Sequence, residues 1–292
     1  MFTVNEAKCD YLTVTTFNPV VMFVIDQWHR GIGVAREGKK RMQYAGTVTS
    51  DRYGQSFYGI GTQRGMTHSL LQVSGELADS ALTAVREFIF KGQCRVTRID
   101  LQVTVPYPRE TWRQVELFEA LKYSDMRSSV SYIESRSGPA NSTLATVYIG
   151  SRSSDRLVRI YEKLGLGESV FLRFEAEYKG KRAMAVTQAL LAGNSERSVL
   201  QSELMRIPDT YNLRDLYMPI LDGDKAEIRV MPETGNTEKW LRETVIPALD
   251  RFLQSHDTES MAMAELFQKV LDDATIKHHG PGRSVDNEGA GV

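Results

Sequence analysis

Strict alternation of apolar and polar residues marks three segments of the chain. In RVTRIDLQVTV, Arg98, Asp100, Gln102 and Thr104 alternate with Ile99, Leu101, Val103 and Val105. Further on, Arg159, Tyr161 and Lys163 alternate with Val158 and Ile160, and Arg173, Glu175 and Glu177 alternate with Phe174, Ala176 and Tyr178. Successive side chains of a strand point to opposite faces, so each segment predicts a strand with one apolar and one ionisable face. Aligned in one sheet, the three would gather a tyrosine, carboxylates and guanidinium groups, the side chains needed to cut a phosphodiester.

The rest of the pattern fills in the fold around these strands. Cys9 to Phe17 reads as a first strand, and Asn18-Pro19 opens a helix carrying Val20, Val21, Phe23, Val24 and Trp28. Met42 to Gly75 reads as a three-stranded meander, with turns at Ser50-Asp51 and Arg64-Gly65. Helices are expected at Leu77–Phe90, Arg109–Leu121, Lys181–Leu191 and Glu196–Met205, and strands at Tyr132–Glu134 and Ala226–Val230. Strands joined mostly by hairpins, with helices inserted between them, predict an α+β fold with a central, largely antiparallel sheet and a C-terminal helical segment. The Met-Pro-Glu-Thr-Gly-Asn stretch beginning at Met231 marks a boundary. Residues 1–235 then form the main domain, 236–276 a helical cap or partner-binding segment kinked at Pro247, and 277–292 a polar, Gly-rich, disordered tail.

Composition narrows the setting. A net charge of -1 gives no global basic footprint. Charge is uneven, however: Arg36, Lys39, Lys40 and Arg41 are offset only by Glu37, and Arg152, Arg156, Arg159, Lys163, Arg173, Lys179, Lys181 and Arg182 outnumber the acids among them. Such patches either bind a polyanion or are simply a solvated face. Cys9 and Cys94 are too few for a disulfide scaffold, which points to a reducing cytoplasm. The apolar run Val20–Ile25 is far too short to span a membrane, and Glu6, Lys8 and Asp10 interrupt any signal-peptide core.

The ordered series RIDLQV, then TVYIGSRSSDRLVRIYEK, then LRFEAEYK resembles the replication initiation factor family often called Rep_trans, over about Asp10 to Arg182. Its members are rolling-circle plasmid initiators, phage replication initiators and relaxases of integrative conjugative elements. The resemblance implies that Tyr161 is the nucleophile that joins covalently to a 5′ phosphate at a single-stranded or melted origin. It also implies that Asp100 and Glu175, with Glu177 as a third candidate, bind a divalent metal. One position departs from the pattern: where many relatives carry a second acid four residues after the aspartate, this chain has Thr104.

A free phenol ionises near pH 10, so Arg159 and Lys163 on the same strand face are expected to lower the pKa of Tyr161 and to hold the scissile phosphate. No His-hydrophobic-His triplet occurs among His29, His68, His256, His278 and His279, so oxygen ligands are left to hold Mg²⁺ or Mn²⁺. Arg152, Arg156, Arg173 and Lys179, with the Arg36–Arg41 cluster, are the expected DNA contacts, and a host helicase or a second protomer is the expected protein partner. Competing readings stay open at this stage. Tyr148 is the main rival nucleophile; Glu175 and Glu177 have a bland alternative as cross-strand partners of Arg159 and Arg173; and Tyr44, Tyr53, Phe57 and Tyr58 either stack bases or pack a core. At the level of the whole protein the alternatives are a conjugative relaxase, a hydrolytic nuclease and an inactive origin-binding regulator.

Overall fold

The computed structural model describes residues 6–38, 43–63, 65–107, 113–136, 143–164 and 169–221, with Ala226, Ile228 and Val230. The chain divides into two compact units, Met1–Met231 and Pro232–Val292. The helical segment at 236–276 and the tail at 277–292 lie outside the described residues.

In the first unit, the described strands form one ten-stranded antiparallel sheet in the order β2-β3-β4-β5-β1-β6-β10-β9-β8-β7. These are β1 (Ala7–Thr16), β2 (Arg36–Glu37), β3 (Ala45–Ser50), β4 (Gly54–Gln63), β5 (Met66–Gly75), β6 (Arg95–Pro106), β7 (Val130–Arg136), β8 (Thr143–Ile149), β9 (Arg156–Leu164) and β10 (Val170–Lys179). The helices are α1 (Pro19–Ile32), α2 (Leu77–Phe90), α3 (Gln114–Lys122), α4 (Gly180–Leu191), α5 (Glu196–Leu204) and α6 (Leu213–Leu221). The α+β class expected from the pattern is therefore what the chain adopts.

The wiring repeats. In each half a central strand (β1 or β6) leads into a helix (α1 or α3), then a four-stranded meander returns to pair with that central strand, and a second helix (α2 or α4) follows. The central strands β1 and β6 pair antiparallel and join the halves.

One face of the sheet is apolar because the alternation dictates it. Leu12 and Val14 of β1, Ile99, Leu101 and Val103 of β6, Phe174 and Ala176 of β10, and Val158 and Ile160 of β9 are buried. They share a core with Ala78, Ala81 and Val85 of α2, Ala183 and Val186 of α4, and Val199 and Leu200 of α5. Fixing α1 at its start, Asn18 Oδ1 accepts the backbone N–H groups of Val20 and Val21, with Pro19 in the first turn where no N–H is missed. Asp100 of β6, Arg159, Tyr161 and Lys163 of β9, and Arg173, Glu175 and Glu177 of β10 are left on the opposite face.

Three elements differ from the sequence pattern. Ala226, Ile228 and Val230 lie outside any strand. The meander carries an added two-residue edge strand, β2. Helix α6 contains Pro219, a residue that ordinarily argues against helix; the buried Leu213, Tyr217 and Leu221 hold it in place.

Candidate active site

Register brings the polar residues of β6, β10 and β9 into rows. Thr104, Arg173 and Tyr161 lie side by side across the three strands; so do Gln102, Glu175 and Arg159. Asp100 pairs with Glu177 and Arg98 with Lys179.

Glu175 sits at the centre of the cluster. Its Oε2 accepts the Tyr161 hydroxyl at 2.7 Å and its Oε1 accepts Arg159 Nη2 at 2.5 Å. The same Arg159 nitrogen lies 3.1 Å from Asp100 Oδ2 and 3.3 Å from Glu177 Oε2. Arg98 grips Asp100 with two hydrogen bonds of 2.8 and 2.6 Å and reaches Glu177 at 2.8 Å. Lys179 Nζ completes the cluster at 2.5 Å from Glu177 Oε1. Asp100, Glu175 and Glu177 are all buried, as unscreened carboxylates can be only when paired.

Burial, above all, makes the Tyr161 phenol harder to ionise than a free tyrosine, and the nearby Glu175 charge adds to this; Arg173 is the cation that opposes it. The expected lowering by Arg159 and Lys163 is thus reversed. Arg159 turns its guanidinium to three carboxylates, so its charge is already matched, and Lys163 is itself easier to deprotonate because of burial and the charge of Arg173. Burial raises the Asp100 carboxyl to about 7, against the opposing pull of Arg98 and with the help of Glu175 and Glu177.

Asp100, Glu175 and Glu177 would be hard oxygen ligands of the right chemistry for Mg²⁺ or Mn²⁺. Their oxygens converge, however, on Arg159 Nη2, and among the described residues no group of three or more His, Cys, Asp or Glu is disposed to hold a metal ion. The donor chemistry fits the ion and the present geometry does not: Arg159 would have to leave first.

The expected DNA contacts separate. Arg152, in the turn before β9, lies at the end of the cluster with its guanidinium 5.6 Å from the Tyr148 ring centroid, and its carbonyl accepts Lys179 Nζ at 2.7 Å. Arg173 is buried beside Tyr161. Arg156 has the opposite strand parity; it leaves the site face and binds Glu203 of α5 at 3.0 Å. Arg36 is exposed on β2, five strand steps from β6, or roughly 24 Å at the usual spacing. Lys39, Lys40 and Arg41 lie outside the described residues.

Among the rival groups, Tyr148 is half-buried across from Arg159 on β8. Tyr44, Phe57 and Tyr58 are buried and pack core, whereas Tyr53 is exposed. His68 lies on β5, stacked on Phe17 and within 3.1 Å of Gln43 Nε2. His29 is buried against Ser56 and Thr47.

The pattern did not single out Asp10, whose Oδ2 accepts Arg173 Nη1 at 3.2 Å, or Tyr11, whose ring centroid lies 4.3 Å from the Arg98 guanidinium. Strict alternation would send Asp10 to the same face as the core residue Leu12; a bulge in β1 separates them.

No family model matches the chain, and no curated protein matches it. Among solved structures it is similar to DynU16, from the dynemicin biosynthetic locus, at 11% identity and a TM-score of 0.20 over 73% of this chain and 97% of that one. It is also similar to StfQ, a di-domain ARO/CYC of the steffimycin biosynthetic pathway, at 12% identity and a TM-score of 0.19 over 72% and 95%. Likenesses at these scores carry nothing about activity. Among the described residues no helix is long and apolar enough to cross a membrane.

Proposed function

We propose that the chain is a cytoplasmic, site-specific DNA nicking and joining protein that starts rolling-circle replication by transesterification through Tyr161. The observation that supports this most is the Tyr161 hydroxyl donating to Glu175 on a sheet face that also carries Arg159, Arg173 and Lys163. Glu175 takes the phenolic proton as general base while Tyr161 Oη attacks phosphorus. The P–O3′ bond breaks, a phosphotyrosine to the 5′ side forms, and Lys163 gives the departing O3′ its proton. Arg159, drawn off the carboxylates by the scissile phosphate, matches the charge that builds on its oxygens. A later attack by a 3′-hydroxyl reverses the exchange and reseals the strand. Asp100, Glu175 and Glu177 would hold Mg²⁺ or Mn²⁺ once Arg159 has moved, and such an ion would polarise the phosphoryl oxygens.

The deciding experiment incubates the protein with single-stranded DNA and Mg²⁺ or Mn²⁺ and looks for a protein–DNA adduct that survives SDS. Wild type should form it and Tyr161→Phe should form none. Cleavage that persists in Tyr161→Phe would make water the nucleophile, and binding without any adduct would leave only a regulatory role.

A further inference from the structure

The β1 bulge sets which way the rest of that strand points. Cys9 pairs with Leu101 and Tyr11 with Asp100, so Asp10 is the extra residue, and the core positions change from Cys9 before it to Leu12 and Val14 after it. Tyr11, Thr13 and Thr15 therefore turn to the face that carries Tyr161, in keeping with the way bulges re-aim side chains next to functional sites. None of the three is a carboxylate, an ammonium or a guanidinium. On β5, Gln72 stands beside Thr13 and Leu70 beside Thr15, with His68 two positions further on, so the neighbouring strand adds no acid, lysine or arginine here either.

Two aromatic rings mark the ends of this stretch, each backed by a planar side chain that is itself held. The Tyr11 ring centroid lies 4.3 Å from the Arg98 guanidinium, which Asp100 pins with two hydrogen bonds and Glu177 with an ion pair. Phe17, just after β1, stacks on His68 with ring centroids 5.2 Å apart and planes 26° from parallel. His68 in turn lies 3.1 Å from Gln43 Nε2 and meets the edge of the Tyr44 ring at 4.8 Å. This backing does not hide the rings: Phe17 is 49% exposed and Tyr11 is half-buried. The buried His68 Nδ1 has no hydrogen-bond partner among the described residues, so this corner of the face holds a polar atom still unmatched.

We propose that this stretch of β1 is the nucleobase platform of the site: Tyr11, next to Asp100 in the register, stacks the base beside the scissile phosphate, and Phe17 stacks a base further along the same strand. This rests on single-stranded DNA being the substrate. The rings stand six residues apart, about 20 Å along a strand, a span that several nucleotides of an extended single strand bridge. Rings whose planes are fixed in advance accept bases of any sequence, because every base has a π-face. The charges divide the labour: β9 and β10 hold Arg159, Lys163 and Arg173 for phosphate, and β1 and β5 hold rings and neutral polar groups for bases. The unmatched His68 nitrogen suits the same ligand, since base edges carry hydrogen-bond donors and acceptors. A peptide adding as a strand is excluded here, because β1 is paired on both sides, with β5 and β6, and has no free backbone edge.

The test is fluorescence anisotropy with a random-sequence pool of single-stranded oligonucleotides about 16 nucleotides long, the upper end of usual site sizes. Tyr11→Ala and Phe17→Ala should each weaken binding about 5- to 150-fold, the usual contribution of one base–aromatic stack, with the slope of log affinity against log salt unchanged. Tyr11→Phe and Phe17→Trp keep a ring and should bind close to wild type. Phe23→Ala removes a 64% exposed ring from α1, on the opposite face of the sheet, and should also bind as wild type does. On a fully abasic strand, wild type and the alanine variants should bind equally, whereas a substitution that merely disturbs the fold would weaken both strands alike. Alanine variants that bind the base-bearing pool as tightly as wild type, or that lose as much on the abasic strand, overturn the proposal. If Tyr11→Ala does not fold, the exposed Phe17 carries the comparison. The SDS-stable adduct is read on the same pool. Adduct from wild type with unweakened variants leaves the nicking reading without its platform; weakened variants with no adduct from wild type keep the platform and sink the nucleophile; a wild type that binds no single strand overturns both.

Discussion

The Tyr161 hydroxyl donates to Oε2 of Glu175 at 2.7 Å, while the other oxygen of that carboxylate receives Arg159 at 2.5 Å. One side chain thus has a proton-accepting oxygen and a cation-holding oxygen. Glu175→Gln keeps the shape and an acceptor but cannot take the proton. Adduct formation should fall about 10²–10⁴-fold, the usual contribution of a general base, with little change in single-stranded DNA affinity. Quenched time courses on denaturing gels, beside anisotropy titrations, check both halves of this expectation.

Arg152 and Arg156 are four residues apart in one basic segment, yet they belong to different faces. Arg152 lies at the open end of the cluster beside Tyr148, and Arg156 pairs with the buried Glu203. Arg152→Ala should weaken single-stranded DNA binding and reduce the dependence of log affinity on log salt by about one ion, if it contacts a phosphate. Arg156→Ala should leave the salt slope unchanged and instead destabilise the fold by about 1–3 kcal/mol, because the buried Glu203 loses the nearer of its two arginines and keeps Arg206 at 3.6 Å. Anisotropy at several salt concentrations and urea unfolding separate the two.

The same pair shows what was legible in the chain. Alternation in β6, β9 and β10 gave the polar face outright, because a period of two leaves no freedom once one face must be apolar. The parity that puts Arg159 and Tyr161 on that face puts Arg156 on the other, so its place was readable once β9 was known to begin at Arg156 rather than in the turn. Asp10 was not readable: the bulge that turns it toward Arg173 adds a residue without a composition signal. The charge balance at Tyr161 was also hidden. Two flanking cations promise a more acidic phenol, but only tertiary geometry reveals that Arg159 serves three carboxylates. Helix α6 was missed because Pro219 reads as a breaker, whereas packing of Tyr217 against Phe174 holds the helix.

Away from the site, Asp79 at the start of α2 keeps its proton to higher pH than a free carboxyl does. Burial raises its carboxyl to about 6, and the neighbouring Glu196 adds to the shift. The folded state therefore holds a proton that the unfolded chain releases near pH 4. This contribution to stability is complete below about pH 4 and is lost as pH rises through about 6. Asp79→Asn keeps an oxygen for the Cys9 N–H, bound now at 3.3 Å, and does not titrate. The thermal midpoint of the variant minus that of wild type should rise by about a few °C between pH 4 and pH 7, and differential scanning calorimetry across that range measures it.

The last expectation concerns the place where Arg159 Nη2 meets Asp100, Glu175 and Glu177 at 3.1, 2.5 and 3.3 Å. Three carboxylate oxygens around one cationic nitrogen is an arrangement in which a divalent ion and the guanidinium compete. Opposite charges about 4 Å apart interact by about 4 kcal/mol at an effective dielectric constant of 20, so removing the guanidinium should free far more than the 1.4 kcal/mol that a tenfold change in affinity requires. Arg159→Gln should then bind Mn²⁺ at least about ten times more tightly than wild type, as read by electron paramagnetic resonance, and the added Glu175→Gln should reverse the gain. Adduct formation should nonetheless fall in Arg159→Gln, since the scissile phosphate loses its cation, and EDTA should slow wild type by as much as the ion contributes when DNA has drawn Arg159 away. Equal Mn²⁺ affinity in wild type and Arg159→Gln would mean that these carboxylates serve the arginines alone, and any metal requirement of the reaction would then have to be met elsewhere.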